Sequence, residues 1–521
     1  MKLTSLRSLL VAGGMLVTFQ LSTADSIAQT APRAGTTPAP RTTAAPAVPA
    51  VASQAPAVAA PVATTQAEDP QLKEEYDKVV AKFKESQFGD ALEALKKIYA
   101  ARPNTKPPRI IMTELFAQAN VAQAVPVSLE MAVQETPEDP EAYLLMAELQ
   151  LNQRNATAAE LLIERGEQKL ANYRVNAERH KNLQTKVLQD RITLCDIRQQ
   201  WELKQRYIAT LINHSGETSS LVRALGVAYF QENKDDNKAR DLFARADGID
   251  ANKPADANKP ADVSQNGKPL PADAMMAQLY MQRGGADAIQ KANTSLDAAL
   301  RAYSKSPEVL SLAVIMKLSE NKLAEAQKMS EALYSADPYS DNAKRLVAIV
   351  ALHRGIDAGQ NYYPVAEKFF QELVTKSPSD SNAVDGLALA LCEATTSDGK
   401  PDQDRLKRAV EYAVGNVQKN QNNREYLATL GWVLFKAGQK QQAVEVLQRS
   451  CADGRVGQNA AYYLAELQLD ADRVKNVESA RKLLSAAVEL QQPFLKRGEA
   501  KALLDTLPAA ATASPTTTIQ R

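Results

Sequence analysis

The chain has 521 residues, with 62 Lys and Arg against 61 Asp and Glu and a formal net charge of +1. At about 100–200 residues per domain this length admits three or four domains or one long repetitive array, and the even charge balance excludes a whole-chain field that would draw the protein onto nucleic acid or an anionic membrane. Aromatic residues make up 5% and glycines number 21, so strand formers and tight hairpin turns are scarce and helices are expected.

The amino terminus, MKLTSLR, sets Lys2 and Arg7 ahead of the apolar run Ser8 to Leu21, followed by the small-x-small sites Ser22-Thr23-Ala24 and Ser26-Ile27-Ala28. That is the layout of a secretory signal peptide, assigned to residues 1–28. The run is shorter than the roughly 20 residues a bilayer core requires. No later segment approaches that length, so no stable membrane span is expected after cleavage. The protein is expected to be exported, to a periplasmic or extracellular location. Residues 29–68 are rich in Ala, Pro and Thr, with no large side chain to build a core, and read as a disordered tether with polyproline character.

From 69 to 250 nearly every segment is amphipathic, and a fixed period runs through them. Segments starting at Leu72, Lys106 and Pro140 align at 34-residue spacing. Ala91, Val125 and Ala159 then share one offset, Leu95, Leu129 and Ile163 a second, and Ile98, Ala132 and Gly166 a third; Pro103 and Pro137 close the first two units. Within this array Ala171–His214 fits the period poorly and reads as longer helices, with Leu188, Ile192, Cys195 and Gln199 along one face. Its eight basic residues against four acidic ones read as a solvated helix face. Residues 251–272, with ANKPAD twice in tandem, form a hinge or linker. A second register covers 273–507, with unit starts at Asp273, Pro307 and Asp341. Ala292 and Ala326, Leu296 and Ser330, and Ala299 and Leu333 stack at shared offsets, and Pro338 closes a unit. Residues 508–521 repeat the composition of the tether and read as a disordered tail.

The segment NREYLATLGWVLFKAGQKQQAVEVLQRSC carries Leu427, Leu430-Gly431, Leu434, Gly438, Ala443, Leu447 and Ser450. A second, LVRALGVAYFQENKDDNKARDLFARAD, carries Leu225-Gly226, Tyr229, Ala239, Phe243 and Ala246. These residues and their spacing resemble the tetratricopeptide repeat family, a 34-residue helix–turn–helix motif. Insertions of about six residues before Ala366, nine before Ala409 and three before Ala480 depart from it. The resemblance implies an all-α fold, an α-solenoid of stacked antiparallel helix pairs with disordered termini, in some nine or ten pairs over about 70–505. The physics agrees: small residues let two helices approach closely, proline ends the second helix, and no pair can bury its apolar face alone.

Catalytic chemistry leaves few traces. His180, His214 and His353 are far apart in sequence, and none stands in a metal-binding spacing. No phosphate-binding glycine loop occurs. Cys195, Cys392 and Cys451 form no CxxC pair, and Cys392 and Cys451 lie in helical apolar patterns where buried structural thiols are common. No enzyme activity, metal or cofactor is expected. Recognition by surface remains. The resemblance implies that the first helix of each pair lines a concave groove, whose offsets carry Ile315, Ile349, Leu389 and Trp432, with Phe435 nearby, in the second array, and Val80, Glu114 and Glu148 in the first. Those apolar residues either pack inside the stack or anchor a partner, with Trp432 the foremost candidate anchor. The expected role is a non-enzymatic scaffold for proteins or peptide segments, with no nucleic acid and with self-association possible. An alternative is an accessory module of an envelope or carbohydrate-processing enzyme system, with a site in Ala171–His214 or the insertions at 356–364 and 395–404. A second is a self-assembling structural protein.

Overall fold

The computed structural model describes residues 70–232, 235–252, 268–396, 399–451, 456–489 and 494–508. The expected signal peptide, the tether, residues 253–267 of the hinge and all but the first residue of the tail lie outside them. The chain divides into two compact units between Asn266 and Gly267, and each is described by itself.

Unit one contains α1 (Pro70–Lys84), α2 (Phe88–Ala101), α3 (Pro108–Gln118), α4 (Ala124–Glu135), α5 (Pro140–Asn152), α6 (Ala156–Asn172), α7 (Ala177–Arg198), α8 (Trp201–Ser215), α9 (Ser219–Gln231) and α10 (Asp236–Ala251). Unit two contains α11 (Ala272–Arg283), α12 (Ala286–Ala302), α13 (Pro307–Ser319), α14 (Leu323–Ala336), α15 (Asp341–Arg354), α16 (Tyr363–Lys376), α17 (Ser381–Glu393), α18 (Gln403–Lys419), α19 (Arg424–Lys436), α20 (Lys440–Ser450), α21 (Gln458–Ala471), α22 (Arg473–Glu489) and α23 (Arg497–Thr506). Both units are all-α solenoid arrays of stacked antiparallel helix pairs. Eleven pairs are present among the described residues, followed by α23, one more than the upper end of the sequence-based count. The pair α7–α8, with its 22-residue first helix, departs most from the period. The insertion before Ala366 forms a two-stranded ribbon, β1 (Ile356–Asp357) against β2 (Gln360–Asn361), antiparallel with Ile356 opposite Asn361.

Local chemistry sets the helix ends. Asp139, Asn155, Asn176, Thr218, Ser306, Ser340 and Asp380 each accept a hydrogen bond from a first-turn backbone N–H, which satisfies donors that the helix itself leaves unpaired. Pro103, Pro137 and Pro338 each follow by one residue the C-cap of α2, α4 or α14, where a missing N–H costs nothing and helix continuation is blocked. Gly438 turns the chain from α19 to α20 at φ +80°, a conformation that a Cβ disfavours.

The 34-residue register is visible in what is buried. Leu95, Leu129 and Ile163 are closed off, as are Ile98, Ala132 and Gly166. Ala91 and Ala159 lie in the core, but Val125 is only half-buried. In that pair Ser128 makes the close contact instead, with Thr113 Oγ1 donating to Ser128 Oγ at 2.9 Å. In the second register Ala292, Ala326, Leu296, Ser330, Ala299 and Leu333 are all buried. Ala239 and Ala443 are fully closed off and Leu430 nearly so, whereas Leu225 and Tyr229 are half-buried. A Cβ on Gly226 would stand 2.6 Å from the Phe243 ring, and one on Gly431 2.5 Å from Leu447. Both glycines therefore hold the two helices of a pair in close approach.

Candidate partner-binding face

In unit two the first helices of successive pairs touch: α13 meets α15, α15 meets α17, α17 meets α19, and α19 meets α21. Their residues therefore share one continuous face. Hydrogen bonds link neighbouring first helices across it. The Tyr426 hydroxyl donates to Asn382 Oδ1 at 2.7 Å, Thr429 Oγ1 donates to Asp385 Oδ2 at 3.1 Å, and Trp432 Nε1 donates to Glu393 Oε1 at 2.7 Å. Although part of Asp385 faces outward, burial of its carboxyl pushes the pKa up to about 8; the Glu425 charge adds to this, while the bond from Thr429 opposes it.

The structure places Trp432 inside this framework. It is 5% exposed, its ring stacks on Tyr463 at 4.5 Å and 16°, and Phe435 and Tyr462 approach its other edges at 5.6 and 5.9 Å. With its N–H bonded to Glu393, the indole offers a partner almost no free surface. Its removal would open a cavity costing about 3–5 kcal/mol. Leu389 is likewise in the core at 9% exposure. Both residues thus pack inside the stack, the other reading that the sequence offers. Ile315, Ile349 and Phe435 are only partly buried and pack against the core of unit two, so they retain surface on the first-helix face.

Sequence reasoning missed the segment Phe494–Lys496. Lys496 Nζ lies 3.2 Å from Glu393 Oε2, 3.3 Å from Glu499 Oε1 and 3.5 Å from the Tyr363 hydroxyl, which stands 133 residues earlier. Burial opposes the ammonium charge, but Glu393, Tyr363 and Glu499 outweigh it and hold the group above the ordinary lysine range. Phe494 is 5% exposed, and the Leu495 N–H donates to Asn459 Oδ1 at 3.2 Å. Nothing local in FLKR signals this placement, because its partners are on α16, α17 and α21.

Unit one carries a different chemistry on the corresponding helices. Arg179 on α7 donates to both carboxylate oxygens of Asp139 at 2.7 and 2.8 Å, to Glu141 Oε2 from Nε and Nη2 at 2.9 and 2.7 Å, and to the Tyr173 hydroxyl at 2.8 Å. Lys106 bridges Glu114 and Glu141 at 2.5 and 3.2 Å, and Lys186 pairs with Glu148 at 2.6 Å. Burial works against ionisation of Glu141, yet Lys106 and Arg179 hold its pKa below the usual value. Arg191 pairs with Glu167, Arg198 with Glu160, Lys204 with Asp196 and Arg206 with Glu202. Six of the eight basic residues of Ala171–His214 are therefore in ion pairs: in place of the expected solvated face, Arg179, Lys186, Arg191 and Arg198 form a seam against the preceding helices, Lys204 joins α8 to α7, and only Arg206 pairs within α8 on a solvated face. Leu188, Ile192 and Cys195 share a buried or half-buried face, but Gln199 does not extend it: it caps α7 in the left-handed conformation at φ 58° and is exposed.

Two histidines distant in sequence, His180 and His214, line one open cavity of about 350 Å³ with Glu167, Gln184 and Thr210. His353 lies on α15 of unit two, and burial lowers its pKa to about 4. Burial pushes the Cys195 thiol up to about 11 and raises Cys392 and Cys451 as well, so at neutral pH all three are protonated and poor nucleophiles. Among the described residues, no group of three or more His, Cys, Asp or Glu is placed to hold a metal ion.

The chain matches no family model and no curated protein. It is similar to a solved tetratricopeptide repeat protein from Parabacteroides merdae, with 12% identity over 55% of this chain and 97% of that one and a TM-score of 0.39. It is also similar to yeast Tom70, at 13% identity over 84% and 96% with a TM-score of 0.31, and to a human IFIT1 dimer with m7Gppp-AAAA, at 14% over 72% and 84% with a TM-score of 0.39. The helix-pair fold described above rests on this chain's own helices.

Proposed function

We propose that the protein is a non-enzymatic scaffold that binds peptide segments of other exported or envelope proteins on the first-helix face of unit two. The observation that carries this reading is the continuous face from α13 to α21, fixed between α17 and α19 by three side-chain hydrogen bonds, on which Ile315, Ile349 and Phe435 keep apolar surface. Stacked helix pairs present extended surfaces of this kind and recognise partners by shape with little rearrangement. In the same reading residues 1–28 direct export and residues 29–68 are a tether that sets the reach of the array.

A photo-crosslinking amino acid at position 315 of the full-length protein, activated in the native host, tests it. The expected result is one discrete adduct with another protein, lost when Ile349 is replaced by Glu. An adduct of twice the chain's own mass would replace the scaffold reading with self-assembly, and the absence of any adduct counts against the face.

A further inference from the structure

Unit two places one of its own segments against the face assigned above to partners, and the chemistry of that contact identifies what the face accepts. The surroundings are acidic and aromatic. Glu393 supplies the carboxylate and Tyr363 a hydroxyl; behind Glu393 stand the Trp432 indole that bonds its other oxygen and the Tyr463 ring stacked on that indole, while Glu499 belongs to the same segment as the lysine. The cation in contact with Glu393 is Lys496, which is 7% exposed and arrives on a segment only seven residues past the end of α22. Phe494 fills apolar space two residues before it, and the Leu495 amide is bound as a peptide backbone is bound, by the Asn459 side chain. The hydroxyl of Tyr463 is buried beside these groups with no hydrogen-bond partner, a capacity that the resident segment leaves unused.

We propose that the face around Glu393, Tyr363 and Asn459 is a docking site for a peptide segment bearing an aromatic residue two positions before a lysine. Phe494–Leu495–Lys496 is the intramolecular occupant that such a segment displaces. The proposal rests on the reading of the first-helix face as a partner surface and adds the partner's chemistry to it. Glu393 is the specificity determinant: its Oε1 is fixed by the Trp432 indole and its Oε2 faces the ammonium. A neutral or acidic residue at the lysine position would leave that carboxylate buried and unpaired, a state that costs far more than the pair itself contributes. Because the resident segment is tethered, it competes at an effective concentration in about the millimolar range, and apparent affinity for an external segment falls in proportion to the fraction of molecules whose face is open.

The test uses full-length protein and a fluorescein-labelled peptide with the sequence LQQPFLKRGE, residues 490–499. By fluorescence anisotropy, the double variant Phe494→Ala/Lys496→Glu should bind this peptide at least about tenfold more tightly than the wild type. The same peptide with Glu in place of Lys should not bind, and adding Glu393→Gln to the double variant should remove most of the gain. Equal binding to wild type and double variant, including no binding to either, overturns the proposal. Should the double variant lose its helical circular dichroism, hydrogen exchange on the wild type decides instead. Excess peptide should accelerate exchange at the amides of Leu495 to Ala500, and unchanged protection there overturns the proposal equally. A discrete partner adduct at position 315 alongside peptide failure leaves the scaffold reading standing and removes only this inference; peptide binding without any adduct does the reverse.

Discussion

Replacing Gly386 by alanine probes how closely α16 and α17 must approach. A Cβ at this position would stand 2.3, 2.5 and 2.7 Å from Cζ, Cε1 and Cε2 of Phe370, where ordinary contact begins at 3.4 Å. Phe370 is buried in the core of unit two, so its ring cannot swing away into solvent and either the ring or α17 must shift. Overpacking of this kind costs about 1–3 kcal/mol, and overlap with three ring atoms puts it toward the upper end. Alanine recovers about 1 kcal/mol through its better helix propensity, leaving a net loss of about 2 kcal/mol. Gly415 on α18 supplies the control, because its added Cβ would meet no atom within 4 Å, and Gly415→Ala should be neutral or stabilising by up to about 1 kcal/mol. Urea unfolding followed by circular dichroism measures both, with hydrogen exchange at α16–α18 amides added because helix arrays can open in parts. Phe370→Leu should cost less in the Gly386→Ala background than alone. If the two alanine variants are equally stable, the close approach of α16 and α17 is wrong.

Two further outcomes follow from buried charge. Asp385 holds its proton more tightly in the folded protein than in the unfolded chain, so its contribution to stability falls as pH rises from about 4 to about 8. Asp385→Asn should flatten the dependence of unfolding free energy on pH across that window and leave the variant more stable than wild type at pH 9; parallel profiles for the two proteins would refute it. In unit one, Arg179→Ala leaves Asp139 without a cation and Glu141 with Lys106 alone, both carboxylates being nearly closed to solvent, and should cost about 3 kcal/mol. Arg179→Lys should recover only part of this, since a lysine cannot donate to both carboxylates in a fork, and a loss under about 1 kcal/mol for Arg179→Ala in thermal unfolding would show that the cluster is not structural.

The helix pairs were legible because their signal is local: small residues recur at fixed offsets, capping side chains precede apolar runs, and proline follows the second helix. Gly386 escaped notice because it stands in the apolar run GLALALC, shifted from the main register by the insertion at β1–β2. Charge on α7 was misread for a different reason. A count along one segment records eight basic residues, but Asp139, Glu141, Glu148, Glu160 and Glu167 stand 24 to 40 residues upstream. Trp432 occupies an offset at which a partner anchor is expected, yet Glu393 from the preceding pair and Tyr462 and Tyr463 from the following one enclose it. Residue spacing shows which helix a side chain sits on and which way it faces; it does not show what the neighbouring pair brings to meet it.

The seam along α7 also bears on how such an array can change over generations. Where pairs meet through apolar surface alone, one unit can be duplicated or exchanged with little penalty. Here Glu148, Glu160 and Glu167 on α5 and α6 are matched by Lys186, Arg198 and Arg191 on α7. A tandem copy of α5–α6 inserted at this junction would part those three carboxylates from their cations and set them against a helix whose own charges suit a different neighbour. Growth by copying is therefore closed at this junction, and the order of pairs around it is written into their side chains.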